Sequence, residues 1–185
     1  MRKIGVLLAP GFEEVEALTV VDVLRRAGEH CDLVSVNGSE RVTGSHNIEI
    51  KADVIFSDEI KEYEMIVLPG GLPGSTNLQS DEKVIEMVKY FNNNNKFIAA
   101  ICAAPIVLKE AEVISNKKVT SYPGYEEELG AKEYIDNQNV VVDGNIITSR
   151  GPATTLAFSY KILEVLGNDK FEDLKEGMMY NFLLR

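Results

Sequence analysis

The sequence offers little from which to build a metal centre or a disulfide framework. It holds two cysteines, Cys31 and Cys102, and two histidines, His30 and His46, in 185 residues. That excludes a disulfide scaffold, and no Cys/His cluster has zinc-ligand spacing. No apolar run is long enough to span a bilayer, so no membrane role is expected. Met1-Arg2-Lys3 runs into a short apolar strand without a signal-peptide cleavage pattern, which makes the cytoplasm the expected compartment. Positive charge is scarce: 19 Lys and Arg against 29 Asp and Glu leave a net charge of −10, which argues against nucleic acid as a main partner. Internal repeats, low-complexity linkers and domain boundaries are absent too. With 45% hydrophobic and 26% charged residues, the expectation is one domain over residues 1–185 with a substantial core.

What is present alternates between strand and helix patterns. Lys3 to Leu8 is an almost unbroken apolar run, as in a strand buried on both faces. Glu13 to Ala27 has helical periodicity, with Gly28 as its stop. Cys31 to Val36 is the next strand, and the three pieces make a βαβ unit with parallel strands. Arg41 to Ile50 is an excursion of short strands or a hairpin around Gly44 to Asn47. Met65 to Leu68 and Phe97 to Ile101 are further buried strands, with a helix from Asp81 to Phe91 between them. Lys118 to Ser121 is a short strand, and an acidic helical stretch covers Glu126 to Leu129. Val140 to Val142 and Ile146 to Thr148 pair across Asp143-Gly144. Gly151-Pro152 opens a helix to about Leu166, and Phe171 to Met179 forms the last one. The predicted class is α/β, a three-layer sandwich on a mostly parallel, doubly wound sheet.

Ligands of such sheets bind beyond the carboxyl ends of the strands. Three unusual loops leave strands at that edge. They carry Pro10 to Glu16, Pro69 to Gly74, and Cys102. Pro105, three residues after Cys102, suits the first turn of a helix, so Cys102 sits at a strand-to-helix corner. The N–H groups of that helix start favour an anion and are expected to lower the thiol pKa and populate the thiolate. The competing reading is an inert cysteine packed among small residues.

Glu16 is out of place. At about 100° per residue it falls inside the apolar stripe formed by Val20, Val23 and Ala27, away from Thr19, Asp22 and Arg26. A buried carboxylate needs a partner or a raised pKa. Glu16 either reaches water or caps its helix, or it points as a carboxylic acid toward Cys102. The glycine-rich turn Pro69 to Gly74 matches neither G-x-G-x-x-G nor a P-loop, so no nucleotide site is predicted. If it faces Cys102, the N–H groups of Gly71 and Ala103 form an oxyanion hole.

G-F-E-E-V-E (Gly11 to Glu16), V-D-V-L-R-R-A-G (Val21 to Gly28), V-L-P-G-G (Val67 to Gly71), A-A-I-C-A-A-P (Ala99 to Pro105) and T-S-R-G-P (Thr148 to Pro152) occur in this order over nearly the whole chain. Together they resemble the ThiJ/PfpI superfamily, in the branch of the parkinsonism-associated deglycase and its bacterial relatives. The resemblance implies a flavodoxin-like fold, similar to class I glutamine amidotransferases, and a homodimer. It implies Cys102 as the reactive cysteine at a nucleophile elbow and Glu16 as its acid partner. Gly70, Gly71, Ala103, Tyr122 and Pro152 would line the oxyanion and substrate site. Members are described as glutathione-independent glyoxalases, protein deglycases, oxidative-stress sensors, chaperones and proteases. This sequence departs from the proteases, which place a histidine after the nucleophile where Ala103 stands. It also has Tyr122 where several deglycase-like members have a histidine. His30 belongs to the far end of the first βα unit, and whether His46 approaches the site is open.

The leading expectation is a cysteine-dependent enzyme acting on methylglyoxal-type oxoaldehydes or their protein adducts, with no metal and no organic cofactor. Its partners would be a small reactive carbonyl or a glycated protein. The alternative is a redox-sensing or chaperone-like stress protein with an oxidisable cysteine. An intracellular cysteine peptidase ranks last. Cys31 reads as a buried hydrophobe.

Overall fold

The computed structural model describes residues 2–184. The N-terminal apolar run forms β1 (Lys3–Leu8), buried along all but its first residue. Helix α1 (Glu14–Arg26) follows, and Gly28 ends it with a φ of +85°. β2 (His30–Ser35) returns parallel to β1, with Ile4 opposite Cys31. The excursion is an antiparallel hairpin of β3 (Arg41–Thr43) and β4 (Glu49–Lys51), turning at Gly44 to Asn47 as expected.

Short β5 (Val54–Ile55) precedes β6 (Met65–Leu68). Then come α2 (Gly74–Ser80), α3 (Glu82–Asn93), β7 (Phe97–Ile101) and α4 (Pro105–Glu110). The chain continues through β8 (Lys118–Val119), α5 (Glu126–Leu129), β9 (Glu133–Tyr134), β10 (Val140–Asp143) and β11 (Ile146–Ser149). It ends with α6 (Thr155–Val165) and α7 (Phe171–Gly177).

Seven strands make the central sheet in the order β10-β11-β7-β6-β1-β2-β5. All neighbours run parallel except β10, which pairs antiparallel with β11. One face packs on α1 and α6 through Val6, Leu8, Val67 and Ile101. The other packs on α2, α3 and α4 through Leu7, Leu68, Ile98 and Ala100. The three-layer α/β expectation holds. The short strand at Lys118 lies outside the main sheet, where it pairs with β9. Sequence reading missed β5, β9 and α2. Strand order reverses beside β1, whose neighbours are β2 and β6, and the loops leaving β1, β6 and β7 meet at that edge. No helix among the described residues is long and apolar enough to cross a membrane.

Candidate active site at the carboxyl edge of the sheet

β7 stops at Ile101, α4 starts at Pro105, and Cys102 turns the corner between them. Its φ is +64°, a left-handed conformation that costs a residue with a Cβ about 1–2 kcal/mol. Two backbone bonds hold it there. The Cys102 N–H donates to the Ser149 carbonyl at 3.1 Å, and the Cys102 carbonyl accepts from the Tyr122 N–H at 2.9 Å. The result is a rigid elbow that presents a half-buried sulfur above the sheet edge.

Glu16, in the first turn of α1, is 0% exposed. Its Oε2 accepts a hydrogen bond from the Gly70 N–H at 2.6 Å, and among the described residues its Oε1 has no oxygen or nitrogen hydrogen-bond partner. A Cβ at Gly70 would lie 2.6 Å from both Cys102 Cβ and Glu16 Oε2, so the two side chains meet across this glycine. Gly71 takes a φ of +88°, which turns its peptide toward the sulfur. Burial pushes the Glu16 carboxyl up to about 7, and the charge of Glu13 adds to the rise. The Gly70 N–H and the Cys102 side chain pull the other way.

The thiol corrects one expectation. Burial and the adjacent Glu16 carboxylate push Cys102 up to about 12. The N–H groups of Ala103 and Gly71 do act on the sulfur and lower its pKa, but they do not win. The helix start was weighed against a protonated Glu16 and without the burial of the sulfur. The resting pair therefore keeps a proton on sulfur and titrates as a unit through Glu16.

A cavity of about 520 Å³ opens above the sulfur. Gly71, Cys102, Ala103 and Tyr122 line it, together with Glu13, Ser45, His46 and Tyr125. Gly70 backs it through Glu16. Pro152 is placed elsewhere, in a groove with Val15 and Leu18 of α1 and Leu156 of α6. His30 pairs with Asp32 at the opposite edge of the sheet. His46 does approach the site, because the β3–β4 hairpin folds back over the start of α1. Gly11 N–H bonds to the Thr43 carbonyl and Ser45 N–H to the Phe12 carbonyl, at 2.8 Å each.

Glu14 fastens that hairpin. It is 4% exposed, and it accepts from His46 Nδ1 at 2.9 Å and from the backbone N–H groups of His46 at 2.8 Å and Ile48 at 3.4 Å. Burial alone would raise its carboxyl, but these donors hold it at about 2. The same carboxylates draw the exposed His46 imidazole above its usual range. Among the described residues, Glu13, Glu14 and His46 form the one group whose ligand atoms lie within metal-binding reach, all within 4.8 Å of one another. The loop bonds of Glu14 account for its burial there. Three acids in one helical turn were the available sequence signal for Glu13 and Glu14.

The DJ-1/PfpI family profile matches residues 2–165. The chain belongs to this family. DJ-1β of Drosophila melanogaster is 40% identical over 177 residues, covering 94% of this chain and 95% of the relative. Its crystal structure superposes with a TM-score of 0.91 over 96% of this chain and 97% of that one, at 38% identity. An oxidized DJ-1 of Toxoplasma gondii gives a TM-score of 0.91 at 31% identity, over 97% and 98% of the two chains. In this DJ-1/PfpI chain, then, the elbow, the Gly70-Gly71 turn and Glu16 occupy one edge of the shared fold.

Proposed function

We propose that the protein is a cysteine-dependent, cofactor-free enzyme acting on α-oxoaldehydes such as methylglyoxal, or on their early adducts with protein side chains. One observation carries the reading: the fully buried Glu16 carboxyl, which burial holds near 7, meets a strained, half-buried thiol across Gly70. A general base poised near the working pH suits proton transfer in both directions.

The Cys102 sulfur adds to the aldehyde carbon as its proton passes to Glu16. The carbonyl electron pair moves to oxygen, which the Gly71 and Ala103 N–H groups stabilise. Glu16 returns the proton to give a hemithioacetal. It then removes the hydrogen on that carbon as a proton; that electron pair forms a C=C bond, the ketone electron pair moves to its oxygen, and Glu16 hands that oxygen the proton to give the enediol. Glu16 next takes the proton of the hydroxyl on the sulfur-bearing carbon and delivers it to the neighbouring carbon, and the carbonyl that re-forms is that of a 2-hydroxyacyl thioester. Water cleaves the thioester and restores the thiol. The sum is one oxoaldehyde plus one water to one 2-hydroxy acid, with no external oxidant.

Lactate formation from methylglyoxal by the wild type and by Cys102→Ser tests this. Loss of roughly 10³-fold or more is expected in the variant. A wild type without turnover, or a variant that keeps it, overturns the reading.

A redox role is the second reading, supported by the same accessible thiol and by the oxidized state of the Toxoplasma relative. Peroxide would take Cys102 to the sulfenic or sulfinic acid, with Glu16 Oε1 donating its proton to the new oxygen. Peroxide uptake with only trace lactate formation would favour it. We also propose a homodimer, supported by the exposed apolar side chains of Val15 on α1 and of Met179, Phe182 and Leu183 near the C-terminus; sedimentation tests it.

A further inference from the structure

The cavity above Cys102 is lopsided in charge. Among the described residues, its lining includes Glu13 and His46 but no lysine or arginine. His46 is not a free cation: its Nδ1 lies 2.9 Å from Glu14 Oε2 and 3.6 Å from Glu13 Oε2. With His46 protonated the three groups sum to one negative charge, and with His46 neutral to two. Glu14 faces the hairpin amides, which take up its charge. Glu13 has no such sink. Its Oε2 accepts only a 3.3 Å bond from Ser45 Oγ besides the imidazole contact. Its backbone N–H donates to the Gly70 carbonyl at 2.8 Å, which fixes the residue against the turn that faces the sulfur. Its charge is felt by Glu16, whose proton affinity it raises.

We infer that Glu13 is a specificity-determining residue that makes the Cys102 cavity accept neutral or cationic electrophiles and reject anionic ones. The inference rests on the reading that Cys102 meets its electrophile in this cavity. A carboxylate-bearing or phosphorylated aldehyde would bring its charge toward a Glu13 that shares its one cationic neighbour, His46, with Glu14, inside a partly desolvated space. There a like charge a few ångströms away costs far more than in bulk water. Tyr122 and Tyr125, which line the same cavity, offer ring faces that favour a cationic group over an anionic one.

Thiol alkylation reads this selectivity without any enzymatic turnover. Iodoacetamide and iodoacetate share a leaving group and differ by one negative charge. Both report the same thiolate fraction, so their rate ratio isolates the local field. Alkylation at Cys102 is followed by mass spectrometry on the whole chain, with glutathione as the free-thiol reference. The iodoacetate-to-iodoacetamide ratio of the wild type should fall below that of glutathione. Glu13→Gln should raise it by roughly three- to tenfold, while Glu13→Asp, which keeps the charge, should leave it near the wild-type value. A ratio unchanged in Glu13→Gln overturns the inference, as does a wild-type ratio at or above that of glutathione. Failure of lactate formation would sink the enzyme reading and leave this ratio intact. A flat ratio in an active enzyme would sink the inference alone.

Discussion

Glu14 and Glu16 lie two residues apart in the first turn of α1, and both are buried. Their environments drive them in opposite directions. Glu14 sits under the β3–β4 hairpin, accepts from several donors and stays ionised down to about 2. Glu16 sits under Gly70, accepts from one backbone donor and rises to about 7. Both are shielded from solvent, but Glu16 lies much deeper than Glu14, and only Glu14 has a rich supply of hydrogen-bond donors; depth and donor supply together set the two roles. A fully satisfied carboxylate is a structural pin, and a half-satisfied one is a proton carrier.

The largest way to break this contrast is to give both residues the same neutral amide. Glu16→Gln should cut lactate formation from methylglyoxal by roughly 10²–10⁴-fold, the range of a lost general base. In the wild type, kcat/KM should climb with pH through about 7 and then level off, because the base form of Glu16 predominates only above its pKa. A rate within a few-fold of wild type in the variant would remove Glu16 from the chemistry.

Stability should separate the two pockets next, with opposite signs. The fold holds the Glu14 proton less tightly than the unfolded chain does, so this residue stabilises above pH 4.5 and loses its contribution as pH falls through about 2. Glu14→Gln should therefore cost about 1–2 kcal/mol at pH 7 once solvent screening near the surface is allowed for, read from urea midpoints, and the cost should shrink below pH 4. The fold holds the Glu16 proton more tightly, so stability is lost as pH rises from 4.5 through about 7. Glu16→Gln should accordingly gain about 2–3 kcal/mol at pH 8 and little at pH 5. Matching signs in the two variants would erase the distinction between pin and carrier.

Much of this edge was legible beforehand because local rules are strong there. The apolar runs gave β1, β6 and β7, and Pro105 after Cys102 marked the elbow. Helical periodicity put Glu16 on the buried stripe of α1, where it lies. His46 was beyond reach because its position depends on hairpin bonds between residues far apart in sequence. β5 spans two residues, too short for any periodicity, and α2 opens with Gly-Ser-Thr-Asn, which has little helical preference. Pro152 entered only through resemblance, and the chain places it against α1 and α6 instead. The thiol pKa was misjudged because burial of the sulfur was not counted and Glu16 was expected to carry the proton, as the acid partner of a thiolate.

The idle oxygen of Glu16 also makes the protein its own ligand detector. Any compound that reaches the elbow and offers that atom a hydrogen bond should offset part of the cost of burying its charge. Such compounds would reveal themselves by raising the melting temperature in alkaline buffer. The glutamine variant, which carries no charge there, would serve as the blank for the screen.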